Sequence, residues 1–302
     1  MLEIGRLSTE LHPMVTTMKA TMRDRVIGVD FSGAKDAGRR IWVARGTATG
    51  DTLQIESCQP AQDLPGSGRA RAESLRALGE FILAESRSAV GLDFPFSLPR
   101  ALVVYDDWEW FVLGFPRDYP SPQALRAICL NAAEGRELKR VTDRQTQTPF
   151  SPYNIRLYRQ TFYGIRDLLR PLVITDRARV LPMQEPAEDK PWLLEICPAS
   201  TLKRAMLYAP YKGREDSHRS ARNRVLAALE RRAIAIQDPA VRSVILDDAG
   251  GDALDSVIAA VATFQSLGGS LPVVPRSSDR YAIEGYVYLG DPDTMRPEWD
   301  RS

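Results

Sequence analysis

Residues 26–31 of the chain read Val-Ile-Gly-Val-Asp-Phe, an apolar run that ends in one carboxylate and an aromatic residue. A strand with one face in water alternates apolar and polar side chains, and this run does not, so it predicts a strand buried on both faces. Residues 89–94, Ala-Val-Gly-Leu-Asp-Phe, repeat the Gly-apolar-Asp-Phe ending. The sequence therefore predicts two central strands, which end in Asp30 and Asp93.

Each of these aspartates has a glycine two positions before it, and side chains two apart in a strand share a face. Gly28 and Gly91 therefore leave room on that face for another element to approach closely. Residues 252–267, DALDSVIAAVATFQSL, predict a helix that is apolar nearly all round and hence buried. We expect a stripe of small residues on this helix to lie against the two glycines; its members are Ala259, Ala262 and Ser266.

Asp252 and Asp255 open this helix on one of its faces, since residues three apart are neighbours on a helix. If the helix packs as predicted, their carboxylates meet those of Asp30 and Asp93. Two carboxylates about 4 Å apart repel by about 4 kcal/mol at an effective dielectric constant near 20. Such a cluster requires cations, and its hard oxygen ligands suit Mg²⁺ or Mn²⁺.

A plainer interpretation of each acid stays open at this point. Asp252 is also explained as the N-cap of the helix, with Asp255 favourable in its first turn. Asp30 is also explained as a strand-end residue that binds the amides of a turn. The repeated ending favours a binding site, because two buried strands that both end in an acid are costly unless something binds there.

The composition excludes several classes of protein. Of the 302 residues, 44% are hydrophobic and 26% are charged, which is typical of a globular protein. No apolar run approaches the roughly 20 residues of a membrane-spanning helix. Three widely spaced cysteines, Cys58, Cys129 and Cys197, favour a reducing compartment, so we expect a cytoplasmic protein. The sequence contains only two histidines, His12 and His218, so it lacks the residues for a zinc site or a Ser-His-Asp triad.

The order of the predicted elements indicates an α/β fold with a mixed, five-stranded central sheet. Residues 1–24 predict a loose N-terminal tail, and residues 25–302 a single domain with an α-rich insertion at about 100–190. The third buried strand, 192–196, carries Glu195 near its end. The other predicted elements are strands at 41–45 and 52–58, helices at 69–86, 155–169 and 216–233, a short element at 240–246, and a loop from 270 with a short strand at 286–288.

Two further stretches have a possible role in binding. The loop at 32–38 contains Ser32 and Lys35, which could hold a phosphate together with backbone amides, although a plain surface turn explains it better. The insertion is rich in arginine and aromatic residues, which could grip phosphates and stack on bases. Aromatic residues at these spacings are more often part of a core.

Several phrases of the sequence resemble a known family. VIGVDFSGAK, GLDFPFSLP, LEICPAS, GGDALDSVIAAVATF and EGYVY look like the family catalogued as domain of unknown function 429, described as predicted nucleases of ribonuclease H-like fold. The element order likewise resembles the ribonuclease H-like superfamily, which includes the Holliday-junction resolvases. The resemblance runs from about residue 25 to residue 288 and is weakest at 105–185. It implies a three-layer ribonuclease H-like fold.

Carried over residue by residue, the resemblance implies that Asp30, Asp93, Asp252 and Asp255 are catalytic carboxylates that bind metal. Glu195 is a further candidate ligand. Asp30 would bridge two ions, Asp93 and Asp255 would hold one each, and Asp252 or Glu195 would orient the hydrolytic water. The expected protein is a nuclease or phosphodiesterase that uses Mg²⁺ or Mn²⁺ on nucleic acid or nucleotides.

Two alternative functions remain at this stage. Actin-like and sugar-kinase phosphotransferases share the superfamily fold, and the run from Asp30 to Gly33 loosely resembles their first phosphate loop. Those proteins generally duplicate the fold, and the sequence shows one copy. The third hypothesis is a module with a degenerate site that binds nucleic acid or protein through the arginine-rich insertion.

Overall fold

The computed structural model describes residues 23–232, 234–267 and 279–290. Its strands are β1 (Arg25–Asp30), β2 (Trp42–Thr49), β3 (Thr52–Pro60), β4 (Ser88–Leu92), β5 (Arg179–Leu181), β6 (Trp192–Ile196), β7 (Ile234–Ile236) and β8 (Val287–Tyr288). Together they form one sheet in the order β5-β6-β4-β1-β2-β3-β7, with β8 beside β6. β1 is antiparallel to β2 and parallel to β4, and β4 is parallel to β6.

The helices surround this sheet. They are α1 (Ala37–Arg40), α2 (Arg71–Leu83), α3 (Trp108–Asp118), α4 (Pro122–Ala132), α5 (Val141–Gln145), α6 (Tyr158–Tyr163), α7 (Arg170–Ile174), α8 (Pro198–Arg204), α9 (Asp216–Glu230), α10 (Pro239–Asp247), α11 (Asp252–Leu267) and α12 (Asp279–Glu284). Within the described ranges, no helix combines the length and the apolar character that crossing a membrane requires.

The predicted α/β fold with a mixed sheet is confirmed, but the predicted count of five strands is wrong. The five expected strands are β1, β2, β3, β4 and β6. β5 and β7 add three residues each, and such short strands show no periodicity that distinguishes them from loops. β8, two residues long, lies where a short strand was expected but not counted.

Each face of the sheet carries its own hydrophobic core, which makes the structure three layers deep. On β1, Ile27 and Val29 face a core that includes α2 and the insertion helices. Val26 faces the opposite core, which includes α9, α10 and α11. From Val26 to its end β1 is buried, as the unbroken apolar run predicts.

α11 packs directly on the backbone of β1 and β4 at the two glycines. A Cβ atom on Gly28 would lie 2.0 Å from the carbonyl oxygen of Ser256 and 2.2 Å from the amide nitrogen of Ala260. A Cβ on Gly91 would lie 2.1 Å from the hydroxyl of Thr263. These separations are shorter than any van der Waals contact, so the predicted close approach is confirmed.

The residues of α11 that face the glycines differ in part from the predicted stripe. One i,i+4 pair, Ser256 and Ala260, lies over Gly28, and the neighbouring pair, Ala259 and Thr263, lies over Gly91. Ala262, which was predicted in the stripe, packs instead in the small core beside β6 and β8. The stripe was misplaced because the helix crosses both strands and presents one pair of residues to each.

The insertion and the chain ends required other corrections. The predicted helix at 155–169 begins at Tyr158 as α6, continues as a π-helical segment over Gly164–Leu169, and ends in α7. The guanidinium of Arg23 lies 4.1 Å over the ring of Trp192, so this residue belongs to the folded body and not to a tail. The rest of the predicted tail, residues 1–22, lies outside the described residues. α12 occupies part of the predicted C-terminal loop.

Candidate functional site

Asp30 and Asp93 lie side by side at the end of two parallel strands. Asp30 is the last residue of β1, and Val29 before it pairs with Leu92, the last residue of β4. The amide of Asp93 donates a hydrogen bond to the carbonyl of Val29 at 3.0 Å. Neighbouring strands are about 4.8 Å apart, so the pairing register alone brings these two acids together.

α11 adds two carboxylates to this edge of the sheet. Asp255 is buried in its first turn, and Asp252, its first residue, is half-buried. Asp248 accepts a hydrogen bond from the amide of Ala253, in the first turn of α11, at 2.9 Å. The alternative interpretation of Asp252 as the N-cap is therefore not supported, and its side chain points to a lysine instead.

Tyr211 and Lys212, in the loop between α8 and α9, complete the cluster. The hydroxyl of Tyr211 donates to Asp255 Oδ1 at 2.6 Å. The ammonium of Lys212 lies 2.6 Å from Asp255 Oδ2 and 3.4 Å from Asp252 Oδ1. Each oxygen of Asp255 thus accepts one hydrogen bond from this loop and keeps a further acceptor position.

This loop is held in place by a buried arginine and a glycine. Arg222 of α9 donates to the carbonyl of Tyr211 at 2.6 Å, to that of Gly213 at 3.0 Å and to that of Leu246 at 2.8 Å. Gly251 has φ +75°, and a Cβ there would lie 3.0 Å from the ring of Tyr211. The positive φ and the close approach of the loop both favour glycine at the start of α11.

Burial and neighbouring charges raise the pKa of the acids in the cluster. Burial raises the pKa of Asp30 well above its ordinary value, and the charges of Asp255, Asp252 and Asp93 raise it further. Burial, followed by repulsion from Asp255, raises the pKa of Asp93 to about 8. Burial also raises the pKa of Asp252 and Asp255, and the charge of Lys212 opposes the shift in all four acids. At neutral pH this cluster retains protons that a cation would displace.

A cleft of about 560 Å³ opens onto the cluster. Asp93, Asp255 and Lys212 form part of its lining, and the rest comes mainly from the insertion and from the segment between β6 and Lys212. This cleft gives a ligand access to the acids.

Glu195, predicted as a further metal ligand, is bound to an arginine. Both of its carboxylate oxygens accept hydrogen bonds from Arg140, and one of them also accepts from the amide of Phe96 at 3.0 Å. Arg140 uses its remaining N–H groups on Asp143 and on the carbonyl of Glu284, so all five of its donors are bound. This buried pairing argues against Glu195 as a ligand, and its place is structural: it ties the insertion to β6.

Ser32 and Lys35, predicted to bind substrate, lie in the loop after β1. The hydroxyl of Ser32 accepts a hydrogen bond from the amide of Ala34 at 3.3 Å, which is a local turn contact. A Cβ on Gly33 would lie 2.5 Å from the carbonyl oxygen of Arg159, so the loop packs against α6. Lys35 is exposed, and neither residue lines the cleft.

The donors of the cluster fit a divalent cation by their chemistry. Asp30, Asp93, Asp252 and Asp255 offer only carboxylate oxygens, which are the ligands that Mg²⁺ and Mn²⁺ prefer. Among the residues that the structure describes, no group of three or more ligating side chains has the spacing of a formed metal site. The ammonium of Lys212 provides the positive charge at Asp252 and Asp255.

No family model, curated protein or solved structure matches the chain. Its function therefore has to be argued from the site.

Proposed function

We propose that the chain is a divalent-metal-dependent phosphodiesterase that hydrolyses nucleic acid or nucleotides. The convergence of four aspartates, at the ends of β1 and β4 and in the first turn of α11, carries this proposal. Two of them, Asp93 and Asp255, line the cleft. Burial and repulsion among these acids raise the pKa of Asp30 and Asp93, and the charge of Lys212 offsets only part of that repulsion. A site that keeps this arrangement is suited to binding cations.

The topology supports the same proposal. β1, β2 and β3 form an antiparallel unit, β4 and β6 extend it in parallel from β1, and α11 crosses β1 and β4 with its acids at their ends. This is the arrangement on which the resemblance to ribonuclease H-like proteins rests. We therefore assign the scaffold to that fold as part of the proposal.

The burial of each aspartate determines the role that we assign to it. Asp30, Asp93 and Asp255 would hold the Mg²⁺ or Mn²⁺, which when bound polarises a phosphate and lowers the pKa of water. Asp252, which is half-buried, would orient the water molecule that attacks. Lys212 lines the cleft, so its ammonium can donate to a non-bridging phosphate oxygen. Glu195 has no part in this scheme because Arg140 occupies it.

The phosphotransferase alternative is not favoured. Its phosphate loop would be residues 30–33, and the contact of Gly33 with the backbone of α6 closes that loop. The described residues contain a single copy of the fold, whereas those enzymes generally contain two.

Activity measured with and without metal tests the proposal. We expect cleavage of labelled DNA or RNA oligonucleotides in Mg²⁺ or Mn²⁺, none in EDTA, and loss of at least about 100-fold in Asp30→Asn. Asp51→Asn, in the exposed turn between β2 and β3, is the control and should leave the activity unchanged. Circular dichroism checks that both variants are folded. Equal metal-dependent activity of the wild-type protein and Asp30→Asn would reject the assignment of the site, and absence of cleavage by the wild-type protein would favour a degenerate binding module.

A further inference from the structure

The cleft over the acids also has an aromatic mouth. Its lining includes Phe150 and Arg156 from the insertion and Tyr208 from the segment after α8, in addition to Asp93 and Asp255. The volume of about 560 Å³ lies within the roughly 300–1,000 Å³ of small-ligand sites. One cavity thus joins a carboxylate floor to rings at its rim.

These two rings differ from most aromatic residues of the insertion. Tyr208 is 55% exposed and Phe150 is half-buried. The insertion's other aromatic side chains are largely core, as residues of this kind at these spacings usually are; Trp108, Phe111, Phe115, Tyr153 and Phe162 are buried. The rings at the mouth therefore have faces that no core contact covers.

A positively charged side chain lies close to each of these two rings. The guanidinium of Arg156 lies 5.4 Å from the centre of Phe150, and the ammonium of Lys203 lies 5.7 Å from that of Tyr208. Both distances are within the roughly 6 Å of a cation–π contact. Within the part of the chain that the structure describes, neither cation has a carboxylate partner. Rings with adjacent free cations bind bases by stacking and phosphates by charge.

We propose that this mouth binds unpaired nucleobases, so that the substrate of the proposed phosphodiesterase is a single-stranded nucleic acid. A base stacked on Phe150 or Tyr208 would direct its own phosphate along the cleft toward Lys212 and the acids. In a duplex the faces of the bases are covered by their neighbours, and a cleft of this size does not admit a helix. The assignment of the phosphate position rests on the proposed function, whereas the contact between base and ring does not.

Binding measured without cleavage tests this inference. The probe is a fluorescein-labelled single-stranded oligonucleotide, titrated by anisotropy in Mg²⁺ with Asp30→Asn as the parent protein so that it stays intact. Adding Tyr208→Ala or Phe150→Ala should weaken binding by between about fivefold and 150-fold, the range for loss of one stacked base. Tyr208→Phe keeps the ring and should bind as the parent does.

Trp110→Ala is the matched control, since Trp110 is 64% exposed on α3 and does not line the cleft. It should leave the affinity unchanged. Parent-like affinity of both Tyr208→Ala and Phe150→Ala would overturn the inference, and so would tighter binding of a duplex than of its single strand. If the wild-type protein shows no metal-dependent cleavage but the ring variants still lose single-strand binding, the proposed function fails and the inference is supported.

Discussion

Replacing Asp93 by Asn should stabilise the metal-free protein, by an amount that grows with pH. Burial, and repulsion from Asp255, raise the pKa of Asp93 from the ordinary 3.8 to about 8. Between these two pH values the folded chain holds a proton that the unfolded chain has lost. The free energy of unfolding of the wild-type protein therefore falls as the pH rises through this window.

The size of the effect follows from the same shift. One pKa unit corresponds to about 1.4 kcal/mol, so the destabilisation by Asp93 reaches on the order of 4 kcal/mol at pH 7. An asparagine amide still has to be buried, which costs roughly 1–3 kcal/mol. We therefore expect Asp93→Asn to gain about 2 kcal/mol near pH 7 and less than about 1 kcal/mol near pH 5.

Urea denaturation in EDTA, followed by circular dichroism at several pH values between about 5 and 8, measures this difference. The same substitution at Asp51, in the exposed turn between β2 and β3, is the control and should show no such trend. A difference between Asp93→Asn and the wild-type protein that is constant with pH would refute the reasoning. So would a variant that becomes less stable than the wild-type protein as the pH rises.

Three other substitutions, together with one control, Gly79→Ala, test the packing and the charges around the site. Gly28→Ala should destabilise by at least about 1–3 kcal/mol, because its Cβ would lie 2.0 Å from a carbonyl oxygen of α11. Gly79→Ala is the control: a Cβ on Gly79 would lie 3.8 Å from its nearest neighbour, so this variant should be neutral or stabilised by up to about 1 kcal/mol. If urea denaturation shows the same loss of stability in Gly28→Ala and Gly79→Ala, the close packing of α11 on β1 is contradicted. Arg140→Met should lose about 3–5 kcal/mol in the same assay, since it leaves buried carboxylates unpaired, and a neutral result would contradict that role. Lys212→Met removes the positive charge beside Asp252 and Asp255, so it should lower the melting temperature in EDTA at pH 8. Adding Mg²⁺ should then raise the melting temperature of this variant by more than that of the wild-type protein. Equal responses of the two proteins would show that Lys212 does not neutralise the acids.

The central strands and the acids at their ends could be predicted from the sequence. β1 and β4 are short and apolar in their interiors, and such runs leave few alternatives to a buried strand. Gly28 and Gly91 indicated where a helix would pack, because a glycine inside a buried strand often marks the close approach of another backbone. The convergence of Asp30 with the first turn of α11 follows from these two facts.

Other parts of the site left no signal in local sequence. Tyr211 and Lys212 lie in a loop without periodicity, and the glycine that admits them, Gly251, is some forty residues later in the chain. Arg140 of the insertion binds Glu195 of β6, and the sequence around neither residue predicts that pairing. Glu195 was a candidate ligand because it lies near the end of a strand, but the sequence could not show that an arginine already binds its carboxylate.

Calorimetric titration of the metal-free protein with MnCl₂ tests most directly whether the four aspartates hold divalent cations. We expect saturable binding by the wild-type protein, with release of protons because the pKa of Asp30 and Asp93 is raised, and loss of that binding in Asp30→Asn. Absence of binding by the wild-type protein, or equal binding by Asp30→Asn, would contradict a metal-binding role for this cluster.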